Sequence, residues 1–183
     1  HARYRAARAI YQQIAAEAGG GGEPGPEGTI FTSQTPTLYE RDAAAELGTR
    51  FWADVAGQVV AVRLYTNAQE GGEHAVRIWR AEDGALVGGP YTWTIAAGTE
   101  GWKTFTLPAP VSIPADAAHV VAVSTSSDQW YAEHVHGFDA PILNGHLRTG
   151  AGSGVWTYIL GTMPSYTWEN TNYFRDVIFV PGP

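Results

Sequence analysis

The sequence predicts an all-β domain of two stacked antiparallel sheets, a jelly-roll or immunoglobulin-like β-sandwich, preceded by a short α-helix on a Gly/Pro linker. Three observations lead there. From Thr29 onward, short runs rich in Val, Ile, Thr, Tyr, Phe and Trp alternate with Gly, Pro, Asn and Asp, the rhythm of strands and tight turns. Several runs repeat their apolar residues with a period of two, which marks a strand with one buried face. No helical pattern interrupts them, so the strands must pair as hairpins and stack as sheets.

The helix spans residues 1–18. Ala, Gln and Arg favour it, and Tyr4, Ala7, Tyr11, Ile14 and Ala18 recur at three- and four-residue spacing until Gly19 stops it. Its apolar stripe is small, so it needs a partner, whether its own sheet, a neighbouring chain or an upstream domain, with Tyr4, Tyr11 and Ile14 as the assembly contacts. Residues 19–28 form a linker by composition, and residues 29–183 form the β domain. Strands are expected over 46–53, 58–66, 73–80, 91–95, 102–107, 119–125, 129–134, 155–159 and 173–180. Val60, Val62 and Leu64 fall on one face of their strand, with Arg63 and Tyr65 on the other. His74, Val76 and Ile78 oppose Arg77 and Trp79 in the same way, and Asp83-Gly84 supplies a hairpin turn between Trp79 and Leu86.

A chain of 183 residues fits one domain, and 44% apolar with 16% charged residues is the balance of a packed protein. Net charge is −7, and Arg3, Arg5, Arg8 and Arg41 concentrate basic charge in the first 41 positions. The body is therefore acidic and repels nucleic acid and anionic membrane. With no cysteines, disulfides and thiolate chemistry are excluded, and the redox compartment stays open. No apolar run suits a membrane span. The start at His1 points to processing or trimming upstream.

The strings Glu46-Leu-Gly-Thr-Arg-Phe51, Gly57-Gln-Val-Val-Ala-Val-Arg-Leu-Tyr65 and Gly72-Glu-His-Ala-Val-Arg-Ile-Trp79 resemble a bacterial extracellular module, domain of unknown function 4082. Gly101-Trp-Lys-Thr-Phe-Thr-Leu107, Pro110-Val-Ser-Ile-Pro114 and Asn172-Tyr-Phe-Arg-Asp-Val-Ile-Phe179 continue the likeness, which covers about residues 29–180. It implies an appendage of bacterial secreted or surface proteins, beside immunoglobulin-like or carbohydrate-active domains, with no activity of its own. Arg175 departs from it, standing where the family strand is apolar, and so does the His-rich segment near Glu133.

Candidate chemistry is sparse. His134-Val-His136, if on a strand, points two imidazoles to one face, where a metal could bind, but no third ligand is specified. Asp128, Glu133, Asp139 and Asn144 offer oxygen donors for calcium in one irregular region without a known loop spacing. His1 could anchor copper in a polysaccharide-active enzyme, but it opens a helix rather than a rigid metal shell. The carboxylates Asp54, Glu70, Asp83, Asp116 and Asp128 fall mostly near turns, where such groups stay solvated. No Gly-x-Ser-x-Gly elbow, His-Glu-x-x-His helix or phosphate loop is present. The aromatic residues carry more. Trp79 and Trp102 fit strands as core, whereas Trp130, Tyr131, Trp156, Tyr158, Tyr166 and Trp168 gather in loop-rich stretches as a binding or assembly face.

The expectation is a non-catalytic, extracellular module acting by surface contact, with no cofactor. Its leading form is a structural or adhesive subunit that meets copies of itself or other surface proteins in a cell-surface or filamentous assembly. The alternative is a carbohydrate-binding appendage of a larger secreted enzyme, and third stands a metal-dependent polysaccharide-active enzyme.

Overall fold

The structure, a computed structural model, describes residues 27–182 apart from residue 127. The expected helix over residues 1–18, with Tyr4, Tyr11 and Ile14, lies outside the described residues, as do His1 and residues 19–26 of the expected linker. The described chain is all-β: β1 (Gly28–Thr29), β2 (Leu38–Asp42), β3 (Glu46–Ala53), β4 (Gly57–Thr66), β5 (Gly72–Arg80), β6 (Leu86–Ile95), β7 (Gly101–Ile113), β8 (His119–Ser124), β9 (Gln129–Glu133), β10 (Leu143–Asn144), β11 (Leu147–Arg148), β12 (Gly154–Thr157) and β13 (Arg175–Pro181). The linker boundary moves accordingly, because Gly28 already pairs with Phe179 as a strand residue.

One sheet has the order β1-β13-β4-β7. A larger one runs β10-β11-β3-β8-β5-β6, with β12 also pairing β3, and every pairing is antiparallel. Both contribute to one apolar core. Val62, Leu64, Val111, Ile113, Val177 and Phe179 from the first sheet meet Phe51, Val76, Ile78, Val121 and Val123 from the second. Burying side chains of this size stabilises by roughly 1.5–3 kcal/mol each, which is how a cysteine-free chain holds two sheets together.

The predicted strands are present, with three informative differences. β7 runs on through Pro108 and Pro110 to Ile113, because it is an edge strand and its free side needs no N–H donors. The hairpin at Asp83-Gly84 starts earlier than expected on its second arm. Trp79 pairs with Leu86, Gly84 takes φ +70°, and the Asp83 carboxylate accepts the Ala85 N–H at 3.1 Å. In β4 a bulge between Val59 and Ala61 breaks the two-residue period. Val59 therefore joins Val62 and Leu64 in the main core, and Val60 packs instead with Val180 in a separate cluster.

Charge is buried in matched sets. Asp176, fully buried, takes Arg63 and also accepts the Ile30 N–H at 2.8 Å, which pins the segment after β1 onto β13. Glu46 takes Arg77 and the Gly161 N–H. Arg175, read as a departure from the family, has 0% exposure and donates to the carbonyls of Tyr173 at 2.6 Å and Val123 at 3.3 Å. Glu70 lies within its field. The expectation that Glu70 stays solvated is thus corrected, since it is 1% exposed.

The antiparallel ladder of β3 with β8 does not stop at the sheet. The same two chain segments, followed outward, pair again as β2 with β9, Leu38 opposite Glu133 and Asp42 opposite Gln129. Between the two stretches the ladder bends at Ala45, where Thr125 both donates to and accepts from the Ala45 backbone. The result is a separate two-stranded ribbon, and a cleft lies beside it.

Candidate functional site: an aromatic cleft at the ribbon

The cleft holds about 370 Å³ between the inner face of the ribbon, the bend at Ala45 and the segment that follows β12. Alternation along the strands sets its lining. Leu38, Glu40 and Asp42 of β2 share a face with Tyr131 and Glu133 of β9, while Tyr39, Arg41 and Trp130 take the other. The floor is Ala45, Leu47 and Tyr173, with Tyr131 and Trp156 packed against them. Tyr158 and Trp168, 53% and 49% exposed, form the rim.

Aromatic rings hold one another in place. Trp156 meets Tyr158 edge-on at 5.0 Å and Tyr166 at 5.5 Å, and paired backbone hydrogen bonds join Trp156 to Tyr166. The Tyr158 hydroxyl donates to Asp42 at 2.7 Å, closing one side of the mouth. Of the six aromatic residues singled out from sequence, the structure brings Tyr131, Trp156, Tyr158 and Trp168 into the lining. Tyr166 stands beside them, and Trp130 points away because it is one residue out of phase with Tyr131.

Of the cleft carboxylates, Glu40 and Asp42 were unread in the sequence, and Glu133 was read only as a calcium donor. Glu133 is 3% exposed, and burial first, then the neighbouring Glu40 carboxylate, push its carboxyl up to about 7. Burial and then the Glu133 charge also raise the Tyr131 and Tyr173 hydroxyls. Glu40 and Asp42 carry no catalytic motif, and only the register of two strands far apart in sequence places them here.

The metal readings do not assemble. β9 ends at Glu133, and His136 turns into the left-handed region at φ 65° and pairs with Asp139, so His134 and His136 do not share a strand face. Asp128 pairs with Arg41, Asp139 with Asn170, Asn144 donates to the Thr29 carbonyl, and Glu133 ends β9 in the cleft, so the four oxygen donors do not converge. Among the described residues no group of three or more His, Asp or Glu side chains converges on a metal position. Of the remaining turn carboxylates, Asp54 holds His146 and Arg148, Asp83 holds Arg80, and Asp116 is exposed at φ 58°. A second cleft, about 420 Å³, opens between β1, β13 and the β10–β11 turn, with Asn144 and His146 on its wall.

Fold and cleft together define the class, an antiparallel all-β domain with an aromatic cleft beside a strand ribbon. The sequence profile described as Domain of unknown function (DUF4082) matches residues 33–175, and the chain belongs to that family. Two solved structures share the fold. One is a clostridial cysteine protease, Cwp84, after propeptide cleavage. The other is described as the cysteine protease and lectin-like domains of Cwp84, a surface layer associated protein of Clostridium difficile. Each aligns at 11% identity and a TM-score of 0.58 over 84% of this chain, which spans 40% of the first chain and 36% of the second. No curated protein matches.

Proposed function

We propose that this chain is a non-catalytic β-sandwich module of a bacterial secreted or surface protein, and that its cleft binds carbohydrate. The observation that carries the reading is the row of aromatic rings from Tyr131 and Trp156 out to the half-exposed Tyr158 and Trp168, lining one cleft. Such faces stack on the apolar C–H patches of sugar rings while their polar edges stay hydrated. The fold shared with a chain described as having a lectin-like domain, from a surface layer associated protein, supports the same reading. No helix among the described residues is long and apolar enough to cross a membrane.

The structural or adhesive reading, with copies of this chain or other surface proteins as partners, keeps one supporting observation. Ile159 and Leu160 stand 64% and 50% exposed at the tip of the loop after β12, an apolar contact of the kind interfaces use. Its other supports, the helix and linker, lie outside the described residues, whereas the cleft supports the carbohydrate reading.

Binding to a panel of immobilised oligosaccharides tests the proposal. The chain is expected to retain at least one sugar, and Trp168→Ala is expected to lose it while unfolding at an unchanged temperature. Retention of no sugar, or equal retention by the variant, refutes the role of the cleft.

A further inference from the structure

The chemical class of sugar follows from the charges in the cleft, an inference that rests on the carbohydrate reading above. The cleft face of the ribbon carries three carboxylates, Glu40, Asp42 and Glu133. The basic residue among the lining side chains, Arg41, faces the other way. Its Nε donates to the Asp128 carbonyl at 3.0 Å, and its guanidinium pairs with the Asp128 carboxylate. Below the floor Arg175 lies in the fields of Glu70 and Glu46, so its charge is already balanced.

Asp42 is engaged by Tyr158. Glu133 is 3% exposed and lines the cleft; its backbone carbonyl is taken by the Thr37 N–H, while its carboxylate forms no hydrogen bond or ion pair with the described residues and faces the space of the cleft. An ionised carboxylate only accepts hydrogen bonds, so a donor entering the cleft is what it can receive. Glu40 stands two residues out of register from Glu133 on the same face, so a cation between them would relieve both. Aromatic walls add to the attraction, since a desolvated ammonium is drawn to ring faces.

We propose that the cleft selects an amino sugar, a hexosamine unit whose free, protonated amine sits between Glu40 and Glu133 while its ring lies against Tyr158 and Trp168. A neutral sugar of the same shape leaves the two carboxylates facing each other. An N-acetylated unit replaces three charged donors by one amide N–H and a carbonyl that the carboxylates repel. A lysine side chain brings the charge without the ring, and it is too slim to cover the walls of a cleft of about 370 Å³.

The test is calorimetric titration of the chain with a glucosamine tetramer, its fully N-acetylated counterpart, a glucose tetramer and a lysine-rich peptide. The glucosamine tetramer is expected to bind at least about tenfold more tightly than the two uncharged sugars, the effect of one charge-assisted hydrogen-bonded contact. Glu133→Gln and Glu40→Gln, isosteric and verified as folded by circular dichroism, are expected to remove most of that preference while leaving residual sugar binding. Equal affinity for charged and uncharged sugars overturns this inference and leaves the carbohydrate reading standing. Binding of the peptide alone overturns both and assigns the acidic cleft to a protein partner. Binding of none of the four overturns the amino-sugar assignment.

Discussion

The Tyr158 hydroxyl donates to the Asp42 carboxylate at 2.7 Å, joining residues 116 positions apart and tying the segment after β12 to the ribbon across the mouth of the cleft. Both residues are exposed, so the bond adds little to global stability. Its effect is local, because the ribbon has few other ties to that segment. Tyr158→Phe keeps the ring and removes the tie. The variant is expected to unfold within about 1 kcal/mol of the parent and to bind its sugar roughly two- to tenfold more weakly. Urea unfolding and calorimetry measure the two. An unchanged affinity would mean that the mouth is set by packing alone.

Glu133 makes a prediction about pH. Its carboxyl is pushed from an ordinary 4.5 up to about 7 in the folded chain, so the folded state holds a proton that the unfolded state has lost. A raised carboxyl pKa penalises the fold only once the group must ionise. The penalty is absent below about pH 4.5, grows as pH rises, and is complete above about pH 7. His74 and His119, kept neutral chiefly by burial, act in the opposite sense, weakening the fold as pH drops below their ordinary range. The clean readout is therefore a difference. Glu133→Gln is expected to gain stability relative to the parent between roughly pH 5 and 8, with the gain vanishing at the acid end. A gain independent of pH would show that Glu133 does not titrate in that window.

The strands, the Asp83-Gly84 turn and the strand roles of Trp79 and Trp102 were legible because each is written in local alternation or turn chemistry. Most of the cleft aromatics were legible too, because large rings in loop-rich stretches are informative wherever they land. What stayed hidden depends on register. Whether Trp130 or Tyr131 faces the cleft is a choice of one residue, fixed by β2, which the sequence did not announce. Val59 and Val60 exchange roles through a bulge that no residue type marks. Glu70 resembles any turn carboxylate until Arg175, more than a hundred positions later, is brought within its field.

That relationship also yields a stability prediction. Arg175 has 0% exposure, and its Nη2 and both Glu70 carboxylate oxygens find no hydrogen-bond partner. Arginine remains charged in proteins, so once Glu70, whose carboxyl burial pushes up to about 7, has ionised, the buried cation draws on the Glu70 charge, with Glu46 shared with Arg77. Removing Glu70 alone, as Glu70→Leu, takes away the largest opposite charge in the field of Arg175 and is expected to destabilise the fold above about pH 7. Removing both, as Glu70→Leu with Arg175→Met, replaces the pair by apolar volume and is expected to recover a large part of the loss. Urea unfolding of the parent, both single variants and the double variant gives the coupling. A double variant as unstable as the sum of its singles would show the two residues to be independent.

Glu40 and Glu133 also invite a catalytic reading, since two carboxyl groups in one cleft are the equipment of a glycosidase. Their placement argues against it. Glycosidases set their two carboxyl groups on either side of the scissile bond, one for the leaving oxygen and one for the opposite face of the ring. Here both project from one face of one ribbon, from adjacent strands two residues out of register, so a bound sugar meets them on the same side. The opposite wall, Trp156, Tyr158 and Trp168, supplies no carboxyl group. Oligosaccharides that bind are therefore expected to remain intact through prolonged incubation with the chain, as followed by reducing-end release and mass spectrometry. Cleavage that disappears in Glu133→Gln would make Glu133 the acid, require a substrate threaded between the strands rather than laid on them, and turn the binding module into an enzyme.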